Sequence, residues 1–167
     1  MIKVGDRLPA TTLWELPVEY THGCPTGPEA VKVAEATRGK RIVVFGLPGA
    51  YTRTCSGQHV PGFAQAADTL KAKKIDEIWC VSVNDAMVMA AWGKDLGATG
   101  KIRMLGDGNA ELAQALGVEM DLTARGMGVR SQRYSMLVDD GMVKIFNLEQ
   151  PGRFEVSSAA QMLAQLG

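Results

Sequence analysis

Two short, β-branched apolar runs bracket a helical pattern, and this arrangement restricts the chain to folds built on parallel strands. The first run, "RIVVFGL" (41–47), lies between Gly-Lys and Pro-Gly, and the second, "IDEIWCVSVN", covers 75–84. Each has the length and composition of a buried strand. Between them Val60, Phe63, Ala64, Ala67 and Leu70 recur at helical spacing, with Gln65, Asp68, Lys71 and Lys73 facing away, so the helix packs one face on a sheet. Pro61 and Gly62 fall near its start, where proline is tolerated in the first turn or else kinks the helix. Strand, helix, strand is a parallel βαβ unit, because parallel neighbours need a crossover connection.

Downstream, "DAMVMAAWGKDLG" (85–97) predicts a helix that Asp85 caps and Gly97 ends, and "KIRML" (101–105) a short strand. "NAELAQALG" (109–117) predicts a short helix ending at glycine. "RYSMLVDDGMVKIFNL" holds two alternating runs joined through Asp140-Gly141, a strong hairpin signal. The closing "SSAAQMLAQLG" has a serine cap and a helical apolar face. A βαβ half followed by a ββα half, after extra N-terminal structure, is the element order of a thioredoxin-like fold. The expected architecture is three-layer α/β: a central mixed sheet flanked by helices, with an N-terminal extension. No repeat or linker divides the 167 residues, so one domain over 1–167 is expected, with an exposed loop at "PVEYTHGCPTGPEA" (17–30).

Lys plus Arg equal Asp plus Glu at 18 each, so no overall basic field favours nucleic acid or acidic lipid. No apolar run approaches a membrane span and "MIKVGDRLPA" lacks a signal-peptide core, which points to a cytoplasmic protein. Cys24, Cys55 and Cys80 are odd in number and widely spaced, unlike a disulfide framework or a zinc site. Reduced thiols, one of them reactive, fit better.

Cys55 falls between a strand end and a helix start, where free backbone N–H groups and the helix dipole favour an anion. A thiol with a pKa of about 8.5 is only slightly ionised at neutral pH, and a helix start with a nearby cation lowers this to ~3.5–7.5. Thr52 and Thr54 offer hydroxyls close by, and Pro48 and Gly49 fix the turn that aims them. The competing reading is an inert buried cysteine near a helix cap, and local chemistry alone leaves the two evenly matched.

The extended stretch "PGAYTRTCSGQHVPGF" resembles the active-site motif of the peroxiredoxins: Pro48, three residues, Thr52, two residues, Cys55. Its form is similar to the peroxiredoxin-five or type II subfamily. The likeness continues in "IKVGDRLP", "CVSVNDAMVMAAWG", "GKIRMLGDGNAELAQALG" and "RSQRYSMLVDDGMVKIFNLE", across nearly the whole chain. The resemblance implies that Cys55 attacks a hydroperoxide and becomes a sulfenic acid. By the same resemblance Thr52 bonds the peroxide oxygens, Pro48 shields the site, and Arg133 stands beside the sulfur. Without it, Arg125 and Arg130 would be equal candidates. His59, four residues after Cys55, belongs to the extended motif and is expected to support the site. A Cys-His hydrolase pair is the weaker alternative, because such pairs usually come from separate parts of a fold. "GDGN" (106–109) echoes a calcium loop but lacks the remaining ligands, so it reads as a turn, and no metal is expected.

A sulfenic acid must be reduced by another thiol. The segment "GRFEVSSAAQML", where some members of the resembled subfamily carry a resolving cysteine, has Ser157 and Ser158 instead. Cys80 is a possible resolving residue, but a buried core thiol is the better reading of "IWCVSV". Cys24 has no role the resemblance supplies. The expected cycle is therefore one-Cys, without a bound cofactor, reduced by glutathione and glutaredoxin. The alternatives are a two-Cys cycle through Cys80 with thioredoxin, a redox sensor that relays oxidation to a partner, and an interaction module without redox chemistry. A homodimer is implied by resemblance. Two positions depart from the motif: Tyr51 stands where phenylalanine is usual and Arg53 where proline is usual.

Overall fold

A computed structural model describes residues 1–17 and 27–167. Cys24 and most of the loop expected over 17–30 lie outside the described residues. An interior strand of the sheet is β3 (Arg41–Leu47), whose Ile42 and Val44 are buried on one face and Val43, Phe45 and Leu47 on the other. A strand covered on both sides reads as a continuous apolar run. β4 (Glu77–Ser82) and β5 (Arg103–Gly106) continue from it in parallel, as the βαβ pattern predicts. On its other side β8 (Tyr134–Asp139) and β9 (Met142–Leu148) pair antiparallel. Asp140 and Gly141 make their turn with φ of 48° and 78°, the left-handed pair that a two-residue hairpin requires.

Two short strands, β1 (Thr12–Glu15) and β2 (Glu29–Lys32), extend the far edge and make the N-terminal extension. The expected loop is thus corrected at its end: Glu29 and Ala30 pair with β1. The sheet runs β2-β1-β5-β4-β3-β8-β9, mixed and seven-stranded. Arg103 ties three of these strands together, reaching Glu15 at 2.8 Å and Glu77 at 2.7 Å. A separate antiparallel pair, β6 (Glu119–Asp121) and β7 (Val129–Ser131), encloses a 3₁₀ turn at Thr123–Arg125.

One face of the sheet carries α2 (Val60–Ala72), α3 (Ala86–Asp95) and α5 (Ala159–Leu166), with Phe45, Phe63, Leu70, Trp92 and Met162 between the layers. The other carries α1 (Val33–Ala36) and α4 (Glu111–Leu116) over Trp79, Tyr134 and Met136. This is the expected three-layer, thioredoxin-like fold. Asp85 caps α3 by accepting from the Val88 N–H at 2.8 Å, and Ser158 caps α5 through the Gln161 N–H at 3.1 Å. The "GDGN" stretch is a turn before a helix, its Asp107 carboxylate accepting from Leu112 and Ala113 amides at 3.1 and 2.9 Å. Among the described residues no helix is long and apolar enough to cross a membrane.

Candidate active site

Strand β3 delivers the chain to Pro48 at the edge of the helical layer. The following turn is held by side chains: the Thr52 hydroxyl donates to the Gly49 carbonyl at 2.8 Å, and the Ala50 N–H donates to Asn84 Oδ1 at 2.9 Å. Tyr51 takes up a left-handed φ of 62°, unusual for an aromatic residue. Helical hydrogen bonding then begins, with the Ser56 N–H on the Thr52 carbonyl at 2.9 Å. Cys55–His59 form a π turn whose last bond runs from the Val60 N–H back to the Cys55 carbonyl. The wider turn comes just before Pro61, which has no N–H with which to continue an ordinary ladder. Proline in the first turn of α2 therefore follows an altered turn, and both Cys55 and His59 project inward from it, each 0% exposed.

Arg133, directly before β8, reaches this turn from far along the chain. Its Nη2 donates to Cys55 Sγ at 3.1 Å, and its Nη1 meets His59 Nδ1 at 2.9 Å. A guanidinium only donates, so Nδ1 is the lone-pair nitrogen and the proton sits on Nε2, which donates to the Ser157 carbonyl at 3.0 Å. Burial first, and the Arg133 charge second, hold the His59 pKa down at about 3. The ring is thus a neutral, bridging acceptor. Phe154 lies under the guanidinium, its ring centroid 5.7 Å from the Arg133 Cζ, so the cation has a π face as well as two acceptors.

Cys55, His59 and Arg133 are brought together; Arg125 and Arg130 do not join them. Arg125 is exposed on the 3₁₀ turn, while Arg130 donates to the Met127 carbonyl at 2.9 Å and braces the Pro48 carbonyl at 3.4 Å. Thr52 points its hydroxyl proton at Gly49, which leaves the oxygen free to accept. A cavity of ≈ 370 Å³ opens beside the guanidinium, with Pro48, Thr54, Arg133 and Phe154 among its walls. Cys80 is a free thiol inside β4, in register with Phe45 and Met104, and 0% exposed. Burial pushes its thiol well up, the Cys55 sulfur adds to this, and Arg133 acts the other way.

Several supporting residues gave no warning in the sequence. Glu149, just past β9, is buried, and its Oε1 accepts from the amides of Glu155, Val156 and Ser157 at 2.7, 2.7 and 2.8 Å and from the Ser157 hydroxyl at 2.9 Å. It thereby fixes the segment whose Ser157 carbonyl receives the His59 proton. Asn84 and Trp92 are likewise seen only in three dimensions, the latter donating from Nε1 to the Ser56 hydroxyl at 3.0 Å.

The chain is similar to several known proteins. A family model described as Redoxin matches residues 3–163. Peroxiredoxin-2E, chloroplastic, of Arabidopsis thaliana is 49% identical over 167 residues, covering 99% of this chain and 69% of that protein. The solved structure of reduced Prx3 in complex with H₂O₂ from Vibrio vulnificus is 47% identical, with TM-score 0.92 over 100% of both chains. A Burkholderia cenocepacia chain provisionally assigned as a thioredoxin reductase is 56% identical, with TM-score 0.95 over 100% of this chain and 99% of that one.

Proposed function

We propose, for a chain that belongs to the redoxin family and is a peroxiredoxin-type oxidoreductase, that Cys55 reduces hydrogen peroxide and small alkyl hydroperoxides. The observation that carries this reading is the Arg133 contact at 3.1 Å from a buried sulfur, with the same guanidinium tied to a neutral histidine. A guanidinium there donates to the nucleophile and meets the charge that develops on the peroxide as the O–O bond breaks. Cys55 Sγ attacks the terminal oxygen, the O–O bond breaks, and the other oxygen leaves as water or an alcohol after taking up a proton. The sulfur is left as sulfenic acid, two electrons oxidised. Thr52 Oγ1 accepts the peroxide O–H, and Pro48 keeps bulk water from the turn.

The motif supports placing the chain in the peroxiredoxin-five or type II subfamily, although the curated relative above is named a peroxiredoxin 2. The reductase assignment of the Burkholderia chain is not adopted, because among the described residues the reactive sulfur has a guanidinium beside it and no disulfide partner. For the second half of the cycle, glutathione displaces water from the sulfenic acid to give a mixed disulfide. Glutaredoxin or a second glutathione then releases the Cys55 thiol. The core position and raised pKa of Cys80 favour this one-Cys route over a disulfide with Cys55. The reading extends to a single redoxin domain over 1–167, acting as a cytoplasmic homodimer.

Peroxide turnover of the wild type, Cys55→Ser and Cys80→Ser, with glutathione/glutaredoxin and thioredoxin offered separately, tests it. Cys55→Ser is expected to lose turnover and Cys80→Ser to keep it with glutathione/glutaredoxin. Loss of thioredoxin-supported turnover alone in Cys80→Ser would replace the one-Cys route with a two-Cys one.

A further inference from the structure

The two halves of the proposed cycle make different demands on Cys55. Cys55 is 0% exposed, and a small peroxide asks far less room beside its sulfur than a tripeptide thiol, which has to align its own sulfur with it and so requires the turn to open. Besides the bonds to Gly49, Asn84 and Arg133 described above, a pair of contacts ties the turn to α3. The Tyr51 hydroxyl donates to Asp95 Oδ2 at 2.7 Å, and its ring leans on Trp92 with centroids 6.3 Å apart. Trp92 is itself fully buried, and its indole N–H ends on the hydroxyl of Ser56, the residue after the sulfur.

Three features separate this arrangement from ordinary surface packing. Tyr51 is 55% exposed, so burial does not explain an aromatic ring there, and its φ of 62° is one that such a residue rarely adopts. Asp95 stands in the last turn of α3, where the helix dipole disfavours a carboxylate, and the Tyr51 hydroxyl supplies a donor that offsets this. The resembled motif has phenylalanine at Tyr51, so the hydroxyl is this chain's own addition.

We infer that the Tyr51–Asp95 hydrogen bond, together with Trp92–Ser56, latches the Cys55 turn to α3 and sets how fast the oxidised sulfur becomes accessible to a thiol reductant. Tyr51 and Asp95 are positioning residues: neither touches the sulfur. The latch has this meaning only if Cys55 is the peroxide-reactive sulfur proposed above. Opening it releases Ser56 from the indole and frees the π turn, whose wide geometry and following proline interrupt the ordinary helical ladder.

Full-length Tyr51→Phe, Asp95→Ala, the double variant and Asp95→Asn test this, the last because asparagine still offers an acceptor. Hydrogen exchange over Ser56–Val60 and stopped-flow rates of the two half-reactions, hydrogen peroxide with reduced protein and glutathione with the sulfenic acid, are the readouts. Tyr51→Phe and Asp95→Ala should each raise exchange and the glutathione rate about three- to ten-fold, the factor of one net hydrogen bond, with the peroxide rate within about two-fold. The double variant should do no more than either single change, and Asp95→Asn should stay near wild type. Unchanged exchange and glutathione rate in Tyr51→Phe, additive effects in the double variant, or a fall in the peroxide rate alone would each overturn the latch. Peroxide turnover by Cys55→Ser would instead sink the assignment of the sulfur, while the exchange data still judge the latch.

Discussion

His59 serves Arg133 only while its ring is neutral, since a protonated ring would turn an N–H toward a guanidinium that can only donate. Its pKa is held at about 3 against an ordinary 6.5, so between these values the unfolded chain binds the proton that the folded one refuses. Its stabilising contribution is complete above pH 6.5 and lost progressively as the pH falls toward about 3. The expected slope is at most about 1.4 kcal/mol per pH unit, readable as a fall in the urea midpoint, and His59→Phe should flatten it. Arg133 is the other residue whose chemistry is not interchangeable. Lysine has one compact charge and cannot serve the sulfur and the imidazole together. Arg133→Lys should slow Cys55 oxidation roughly 10²–10³-fold in stopped-flow measurements, the usual cost of removing a donor to developing charge.

Between β9 and α5 the irregular segment 155–157 has no ladder of its own and depends on Glu149. Burial alone would raise that carboxyl, but the donors from Ser157, Val156 and Glu155 outweigh it and hold its pKa below the ordinary 4.5. This contribution is present above pH 4.5 and lost as the pH falls through the lowered value, so it continues the acid loss that His59 begins. Glu149→Ala should destabilise by about 3 kcal/mol in urea melts, because it strands buried amides, and should loosen the His59 ring. Elements with a long period were legible in advance: α2, α3, β3, β4 and the Asp140-Gly141 hairpin each repeat their signal over many residues. β1, β2, β6 and β7 are 3–4 residues long, too short for an alternation to stand out. The motif around Cys55 pointed to the sulfur and His59, and the resemblance of the distant "RSQRYSMLV" stretch, not local chemistry, pointed to Arg133. Glu149 was not legible, because one carboxylate gives no hint that four donors will converge on it. Ser157 and Ser158, which stand where some members of the resembled subfamily carry a cysteine, serve the Glu149 bracket and the α5 cap.

With 18 basic and 18 acidic residues the molecule has no net field with which to steer a ligand, and a hydroperoxide is neutral in any case. Oxidation of Cys55 by hydrogen peroxide should therefore change less than about two-fold between low and high salt. Glutathione is an anion, and Arg53 is exposed and makes no ion pair among the described residues. Its step should slow as salt rises, and Arg53→Pro should remove most of that dependence. Gly46 shows how closely the sheet and the site are bound together: a methyl there would run into the Tyr134 ring, its partner across the ladder. Gly46→Ala should cost about 1–3 kcal/mol by overpacking, seen as a lower melting temperature. The same pairing acts as a ruler. Gly46 opposite Tyr134 fixes where Arg133 begins relative to Pro48, and the Glu149 N–H on the Arg133 carbonyl at 2.9 Å pins the mark. Lengthening β8 by one residue would carry the guanidinium about 3.3 Å along the strand and turn it to the opposite face. An insertion at the Asp140-Gly141 tip would leave it in place. At that end an insertion would cost only the tip's own bonds, from the Gly39 amide to Asp140 Oδ1 at 2.7 Å and from the Leu8 amide to the Gly141 carbonyl at 2.8 Å, whereas one between Arg133 and Asp139 would unseat the site.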